Sequence, residues 1–348
     1  TERQEPYAPS SPRAPCRAQG GLTMRCSGRR LSSCRLQAKQ AARRLRAGGL
    51  VGLPTETVYG LAADANHEEA VLGIFAAKNR PHANPLILHF DCLHSAEPYM
   101  LSFPAVFKQL YASFCPGPLT FIVPKSSLVS ELITGGQDTV AIRFPKHEVL
   151  QNLLQAFGRP LAAPSANLYG QLSPTTAQHV FSQLNGRIPY ILDGSACDQG
   201  LESTIIGLEN ERVLIYRYGS ITAEQLAVHL GYAPEAKIHE HGGVRTSGMV
   251  KYHYATQTPL YLGFKNEQGQ NADLQILLAD DESISEPKMI LSQSGSLTEA
   301  AQNLYAMLHT ADAIGVERIF VEPFPPEGLG AAMNDRLSRA AAKFTSKG

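Results

Sequence analysis

Nowhere in the 348 residues does an apolar run approach the ~18 residues that cross a bilayer, which leaves no candidate membrane-spanning helix. Net charge is also missing, since 31 Lys and Arg balance 31 Asp and Glu. A chain without a basic excess is a poor general coat for nucleic acid. Cysteine is scarce. Of six, Cys16, Cys26 and Cys34 lie near the start, Cys92, Cys115 and Cys197 are isolated, and no Cys-x-x-Cys pair occurs. That pattern argues against a disulfide frame or a zinc ribbon and suits reduced thiols in a cytosolic enzyme. Four familiar signatures are absent: the P-loop, the Rossmann G-x-G-x-x-G, the G-x-S-x-G elbow and H-E-x-x-H. The eleven histidines, His239 and His241 included, show no spacing that demands a metal. No internal repeat of solenoid period is present.

The charge that is present is unevenly placed. Residues 1–46 hold eleven Lys or Arg and two acids, whereas the remainder holds 20 basic and 29 acidic residues. The globular part is therefore mildly acidic. Residues 1–35 are rich in Pro, Ser, Gly and Arg and lack periodicity. They read as a disordered tail or an upstream translation with Met24 as the start, in a cytoplasmic protein. From Met24 the segment is also Arg- and Ser-rich and acid-free, so a mitochondrial-type transit peptide is the alternative.

The ordered chain is expected to begin with the helix "LQAKQAARRLRAGG", stopped by Gly48 and Gly49. Strand-like runs ("LVGL", "PLILHF", "LTFIVP", "TVAIRFP", "PLAAP", "YILDG", "STIIGL", "RVLIYRYG") then alternate with amphipathic helical ones. One of these, "TAEQLAVHLGY", carries Thr222 and Gln225 at capping-box spacing. One α/β domain over 36–232 accounts for them. Residues 233–256 have no usable period and read as a linker. From 257 to 348 the alternation resumes as a second, smaller α/β domain. Its long helix places apolar residues at 297, 300, 301, 304, 307, 308 and 311, one helical face.

Chemistry concentrates at element ends of the first domain. The apolar run "GLVGL" meets "PTETVYGLAADA", where Thr55, Glu56, Thr57 and Tyr59 crowd the end of an expected core strand. The plain reading is a turn with Thr caps. "AAKNRPHANPLILHF" ends a helix with Lys78 and Arg80, then offers Asn84 and His89. A cation at a helix C-terminus is favoured by the dipole alone, but two of them before a Pro-punctuated loop also suit an anion clamp. "TVAIRFP" puts Arg143 at a strand end, which on its own suits an edge residue with its head in water. "LAAPSANLYGQLSPT" supplies Ser165, Asn167 and Ser173. It is either a loop of Ser-initiated turns or a polar loop at a strand end, where ligands of open α/β sheets sit. "LESTIIGL" and "IYRYGS" add Ser203, Thr204 and Arg217.

Taken in order, "PTETVYGL", "KNRPHANPLILHF", "PGPLTFIV", "VAIRFP", "APSANLYGQLSPT", "DGSACDQGLESTII" and "IYRYG" resemble the YrdC-like family of L-threonylcarbamoyladenylate synthases. The family's Lys-x-Arg and Ser-x-Asn markers are here Lys78/Arg80 and Ser165/Asn167. The resemblance spans roughly 40–232. The stretch from "SGMVKYHYA" through "GLGAAMNDRLSRAA" is similar to the extra C-terminal domain of the long form, with Thr256 where Pro is expected. The first residues lie outside it. The implied fold is a YrdC-like twisted open α/β sheet domain followed by a smaller Rossmann-like α/β domain.

The resemblance implies a reaction in which ATP, bicarbonate and L-threonine give threonylcarbamoyl-AMP and pyrophosphate. Other proteins then pass the activated group to the adenosine beside the anticodon of tRNA. It implies Lys78 and Arg80 as catalytic residues. Arg80, Asn84, Thr139, Ser165, Asn167, Ser173 and Arg217 fall to ATP; Thr57, His89, Arg143, the backbone of Ala163 and Ser203 fall to threonine. Mg2+ is expected with the nucleotide, and no protein metal site. Residues 241–255 are expected to fold over the site as a lid with Tyr254 near the phosphates, since a water-labile anhydride needs closure. Three rivals share the fold: a double-stranded RNA-binding module, a carbamoyltransferase that forms a carbamoyl-adenylate, and a non-catalytic regulator, against which the intact polar set argues. The first needs a local basic surface, because residues 47–256 hold 13 basic and 17 acidic residues. The second usually sits beside acylphosphatase, zinc-finger or kinase-like modules, and none is visible.

Overall fold

The computed structural model describes residues 31–237, 253–265 and 273–345; of residues 31–35 only the helical backbone is described. Residues 1–30 and most of the expected 233–256 linker thus lie outside the described residues.

The first sheet is built from β1 (Val51–Leu53), β2 (Gly60–Asp64), β3 (Ile87–His89), β4 (Leu119–Pro124), β5 (Thr139–Arg143), β6 (Leu161–Ala162), β7 (Thr204–Glu209), β8 (Arg212–Arg217) and β9 (Glu235–Ala236). Their spatial order is β1-β2-β6-β3-β5-β4-β7-β8-β9, and parallel and antiparallel pairs are mixed. One face is packed by the helices Glu68–Lys78, Ala105–Phe114 and Ala223–Leu230 around Leu61, Leu88, Phe121, Ile142 and Ile215. The opposite face carries a smaller apolar strip of Ile87, Ile122, Ile205, Leu214 and Tyr216. Next to that strip the strands end in charged and hydroxyl side chains. The helix Leu31–Arg46 packs its Ala38, Ala41, Ala42 and Leu45 against Val149, Leu153 and Phe157 of the helix Glu148–Phe157.

Four local expectations change. The first helix begins at Leu31, five residues before the expected start at 36. "GLAADA", not read as a strand, forms β2 as a hairpin partner of β1. Its small residues have weak strand propensity, but every position is buried between sheet neighbours and packing decides. "YILDG" is not a strand: Ile191 makes a single parallel bridge to Gly52 before Asp193 turns the chain through Ser195 at φ 73°. The capping box at Thr222 and Gln225 forms as the sequence predicts. β9 lies within the expected linker and pairs with β8, so the sheet runs past residue 232.

The second sheet is all parallel, in the order β10 (Leu260–Leu262), β13 (Arg318–Val321), β11 (Asp273–Leu277), β12 (Lys288–Ile290). The helices Leu297–Ala313 and Gly328–Thr345 complete its core. That core continues into the first domain through Val58, Leu172 and Leu201, with Tyr254 of the connecting segment packed among them. Continuous apolar burial of this kind holds the two domains together. Among the described residues, no helix is long and apolar enough to cross a membrane.

Candidate active site

Strand register brings the polar ends together. His89 closes β3 directly beside Arg143, which closes β5, and Thr120 of β4 faces Arg143 on its other side. Ser203 precedes β7, and Arg217 ends β8 opposite Ile205. Gly219 permits this approach, since a Cβ there would lie 2.3 Å from the Glu202 carbonyl and 2.4 Å from the Thr204 nitrogen.

The "PTET" turn is organised by one hydroxyl. Thr55 Oγ1 donates to the Val58 carbonyl (2.7 Å), accepts from the Thr57 and Val58 amides, and lies 2.8 Å from Thr57 Oγ1. This fixes Thr57 Oγ1 as an acceptor for Arg143 Nη2 at 2.8 Å. The same Nη2 stands 2.9 Å from Glu56 Oε1, an ion pair without aligned hydrogen-bond geometry. Arg143 Nε, buried, has no partner. An arginine with a satisfied outer nitrogen and an unmet inner one is a donor awaiting an acceptor.

Beside Arg143 lies a narrow space of about 450 Å³, counting the solvent at its mouth. Thr55, Val58, Tyr59, Gly60, Ile87, His89, Arg143, Ala163, Pro164, Ser165, Glu202, Arg217, His253 and Tyr254 line it. Burial, reinforced by Arg143, pushes His89 down to about 3, so at neutral pH its ring is uncharged, with Nδ1 3.1 Å from the Ile87 carbonyl. The Ala163 amide is bound to the Ile87 carbonyl at 3.0 Å. Arg217 donates Nε and Nη2 to the Ser203 carbonyl and Nη2 to Ser203 Oγ, which is 2.7 Å from Thr120 Oγ1. Burial lowers the pKa of Arg217 from its ordinary value.

The two sequence markers are tied to each other. Lys78, at the last turn of its helix, sends Nζ to the carbonyls of Ser165 (2.6 Å) and Asn167 (2.5 Å). Burial, then the charge of Arg80, holds Lys78 well below the usual lysine range. Asn167 spends its amide on the carbonyls of Leu168 and Gln171. Arg80 donates to the carbonyls of Asn84 and Pro85 and stands over the Tyr169 ring at 5.8 Å; burial lowers it to about 10. Asn84 Nδ2 reaches Tyr169 Oη at 2.8 Å.

Of the expected site residues, His89, Arg143, Ala163, Ser165, Arg217 and Tyr254 line the cavity. Thr57, Ser203 and Lys78 stand behind it, each bonded to a residue that does. Ser173 is buried against Glu202, with Oγ to Oε1 at 2.6 Å. Asn84 and Arg80 meet at Tyr169, and Thr139 starts β5 on the face of Arg143, about 13 Å along the strand. Tyr254 is 2 % exposed yet holds φ 60°, a left-handed conformation that an aromatic residue adopts only under constraint. The rest of the expected lid, apart from His253 and Ala255, lies outside the described residues.

Sequence reasoning passed over three groups. Glu56 was in view within "PTET" and received no role, although it is the carboxylate facing Arg143. Glu202, one residue before Ser203, lines the cavity. Its partner Arg336 belongs to the last helix, and no local pattern points from one to the other. Among the described residues, no three His, Cys, Asp or Glu side chains converge as a metal site. Cys92, Cys115 and Cys197 are free thiols, and burial pushes Cys115 and Cys197 well up from the ordinary thiol value.

Residues 43–219 match the Sua5/YciO/YrdC family model, described as "Telomere recombination". Residues 221–342 match the model described as "Threonylcarbamoyl-AMP synthase, C-terminal domain". The threonylcarbamoyl-AMP synthase of Pyrococcus abyssi is 37% identical over 319 residues, 86% of this chain and 93% of that protein. That of Bacillus subtilis is 36% identical, covering 88% and 93%. Among solved structures, P. abyssi Sua5 complexed with L-threonine superposes with a TM-score of 0.81 at 34% identity, over 88% of this chain and 94% of the other.

Proposed function

The chain belongs to the Sua5/YciO/YrdC family in its two-domain threonylcarbamoyl-AMP synthase form, and from that membership we propose how its cavity works. The protein is an enzyme that uses ATP and L-threonine to make threonylcarbamoyl-AMP. Threonine's neutral amine combines with bicarbonate to give a carbamate and water. The carbamate oxygen attacks the α-phosphorus of ATP, and pyrophosphate leaves.

One observation supports the threonine pocket above others: the buried, unpartnered Nε of Arg143, a residue that lines a narrow cavity together with His89, Ser165 and Arg217. A carboxylate there completes the fork, with Nη2 already steadied by Thr57. Neutral His89 and the Ala163 backbone then orient the amine end by hydrogen bonds. Arg217, held by Ser203, supplies positive charge to the phosphates, and Lys78 and Arg80 add theirs from beside the Ser165–Asn167 loop. Asn84, Thr139 and Ser173 are assigned to orienting the nucleotide. Mg2+ would arrive on the ATP phosphates: Glu56 and Glu202 each face an arginine, so the site offers no carboxylate cage of its own. Tyr254, with His253, closes the mouth against water.

The product suits transfer by other proteins to tRNA, and reduced buried thiols together with ATP chemistry favour the cytoplasm. Incubation with ATP, bicarbonate and labelled threonine, followed by mass detection of the adenylate, tests the reading. Pyrophosphate release that does not depend on threonine and bicarbonate together sinks it.

A further inference from the structure

Among the described residues Arg336 is the largest fully buried side chain, and it sits between the domains. It lies in the middle of the helix Gly328–Thr345 of the second domain, and its guanidinium contacts the wall of the first domain's cavity at three points. Nε donates to Glu202 Oε2 at 2.8 Å, Nη2 donates to the Tyr218 carbonyl at 2.6 Å, and the group stands 5.0 Å over the Tyr254 ring. Glu202 and Tyr254 line the cavity, and Tyr218 follows Arg217 in the chain. The remaining nitrogen, Nη1, is held by Asp335 at 2.7 Å.

Glu202 is saturated by this arrangement. Ser173 Oγ donates to Oε1, Tyr305 Oη lies 3.2 Å from both oxygens, and Arg336 takes Oε2. Two of these donors come from the second domain. Although burial raises its pKa, Arg336 and then Arg217 pull Glu202 down to about 2, so it is a full negative charge beside the cavity. The close seat depends on Gly200 at φ 70°, where a Cβ would lie 2.4 Å from the Ala301 carbonyl of the second domain.

A buried carboxylate next to a site for a polyanion is a liability. Unpaired, it would repel the triphosphate or draw Arg217 to itself. We infer that Arg336 is a positioning residue for the nucleotide half of the site: the second domain engages Glu202 and thereby neutralises a negative charge beside the seat of the phosphates. This rests on the ATP-using function proposed above. The second domain thus completes the site's charge balance without itself touching substrate.

The test uses the full chain, with ATP and threonine affinities measured by calorimetry. Arg336→Met leaves Glu202 without its arginine partner and should weaken ATP binding roughly tenfold while threonine affinity stays within about twofold, since a triphosphate feels the added charge several times more than a single carboxylate balanced by its amine. The neutral pair Glu202→Gln with Arg336→Met should return ATP affinity to within about threefold of the unaltered protein. A role in packing alone predicts the opposite: lower stability, no selective loss of ATP, and no recovery on neutralising Glu202. Unchanged ATP affinity in Arg336→Met, or a double variant as weak as the single, overturns the inference. If Arg336→Met does not fold, the double variant decides alone, with near-normal ATP affinity supporting the inference and a roughly tenfold loss overturning it. Failure of the unaltered chain to form adenylate would sink the functional reading instead, and the ATP affinities would still judge Arg336.

Discussion

Arg143→Lys separates the threonine pocket from the nucleotide site. In the structure Nη2 already serves Thr57 at 2.8 Å and faces Glu56 at 2.9 Å, so the unpartnered Nε is the donor left for an incoming carboxylate. Lysine offers a point charge and no equivalent of that second, geometrically fixed donor. It can satisfy Glu56 and Thr57 or reach the substrate, but not both in one geometry. The loss is then about one charge-assisted hydrogen bond, roughly 1.5–3 kcal/mol, or about tenfold to 150-fold in threonine KM. Pyrophosphate release at varied threonine and saturating ATP measures it, and ATP affinity without threonine is the control. ATP affinity should stay near normal, because the phosphates are assigned to Arg217, Lys78 and Arg80. A normal threonine KM together with weakened ATP binding would reverse the assignment and place the phosphates at Arg143.

Four further outcomes are expected. Lys78→Ala should lower kcat more than ATP affinity, because charge grows on the α-phosphoryl oxygens in the transition state; equal losses in binding and turnover would make it an anchor. Serine should be the poorer substrate by only roughly five- to tenfold in kcat/KM, since one methyl in an apolar pocket is worth ~1 kcal/mol, and competition kinetics measure it. Tyr254→Ala should leave ATP affinity near normal but let the adenylate hydrolyse on the enzyme, read as AMP and free threonine by mass detection; an intact yield of adenylate removes the closure role from Tyr254. Last, His179 and His309 stack at 4.0 Å across the domain interface. Burial and then His309 lower His179 to about 4, while burial lowers His309. Bases with depressed pKa values bind fewer protons folded than unfolded, so their penalty is absent above the ordinary value near ~6.5 and grows as pH falls from there towards 4. Urea midpoints should fall over that window, and His179→Gln should flatten the fall; parallel curves for both proteins would remove the stack from the account.

What was legible in the sequence follows from how local each signal is. Arg143 and Arg217 each end an apolar strand, so a strand-end cation could be read from a few residues, and register then brought both to one cavity. Lys78 and Arg80 were visible as a cationic helix end, but the spending of Lys78 Nζ on the Ser165 and Asn167 carbonyls is a contact across 87 and 89 residues. β2 was missed because Gly, Ala and Ala carry no strand signature, and only burial on both sides makes them one. Glu202, in the loop before β7, and Arg336, on the last helix, are 134 residues apart, and neither sits in a pattern that demands the other. Local chemistry announces itself in sequence; long-range charge compensation does not.

The cavity's size adds a final constraint. The space is narrow between its walls, and a site that makes a water-labile anhydride needs a wall that both opens and closes. Most of that wall is sheet: Ile87, His89 and Arg143 are fixed by ladders on both sides, and Glu202 is held by Ser173, Tyr305 and Arg336. His253 and Tyr254 belong to no strand or helix, His253 Nδ1 has no partner, and Tyr254 holds a strained left-handed backbone. The irregular and strained part of the wall is thus this pair, with Tyr254 packed against Arg336 and Tyr305. Movement there can admit substrate while the charge pairs behind it stay in place, which lets one cavity both open for ATP and exclude water from the anhydride.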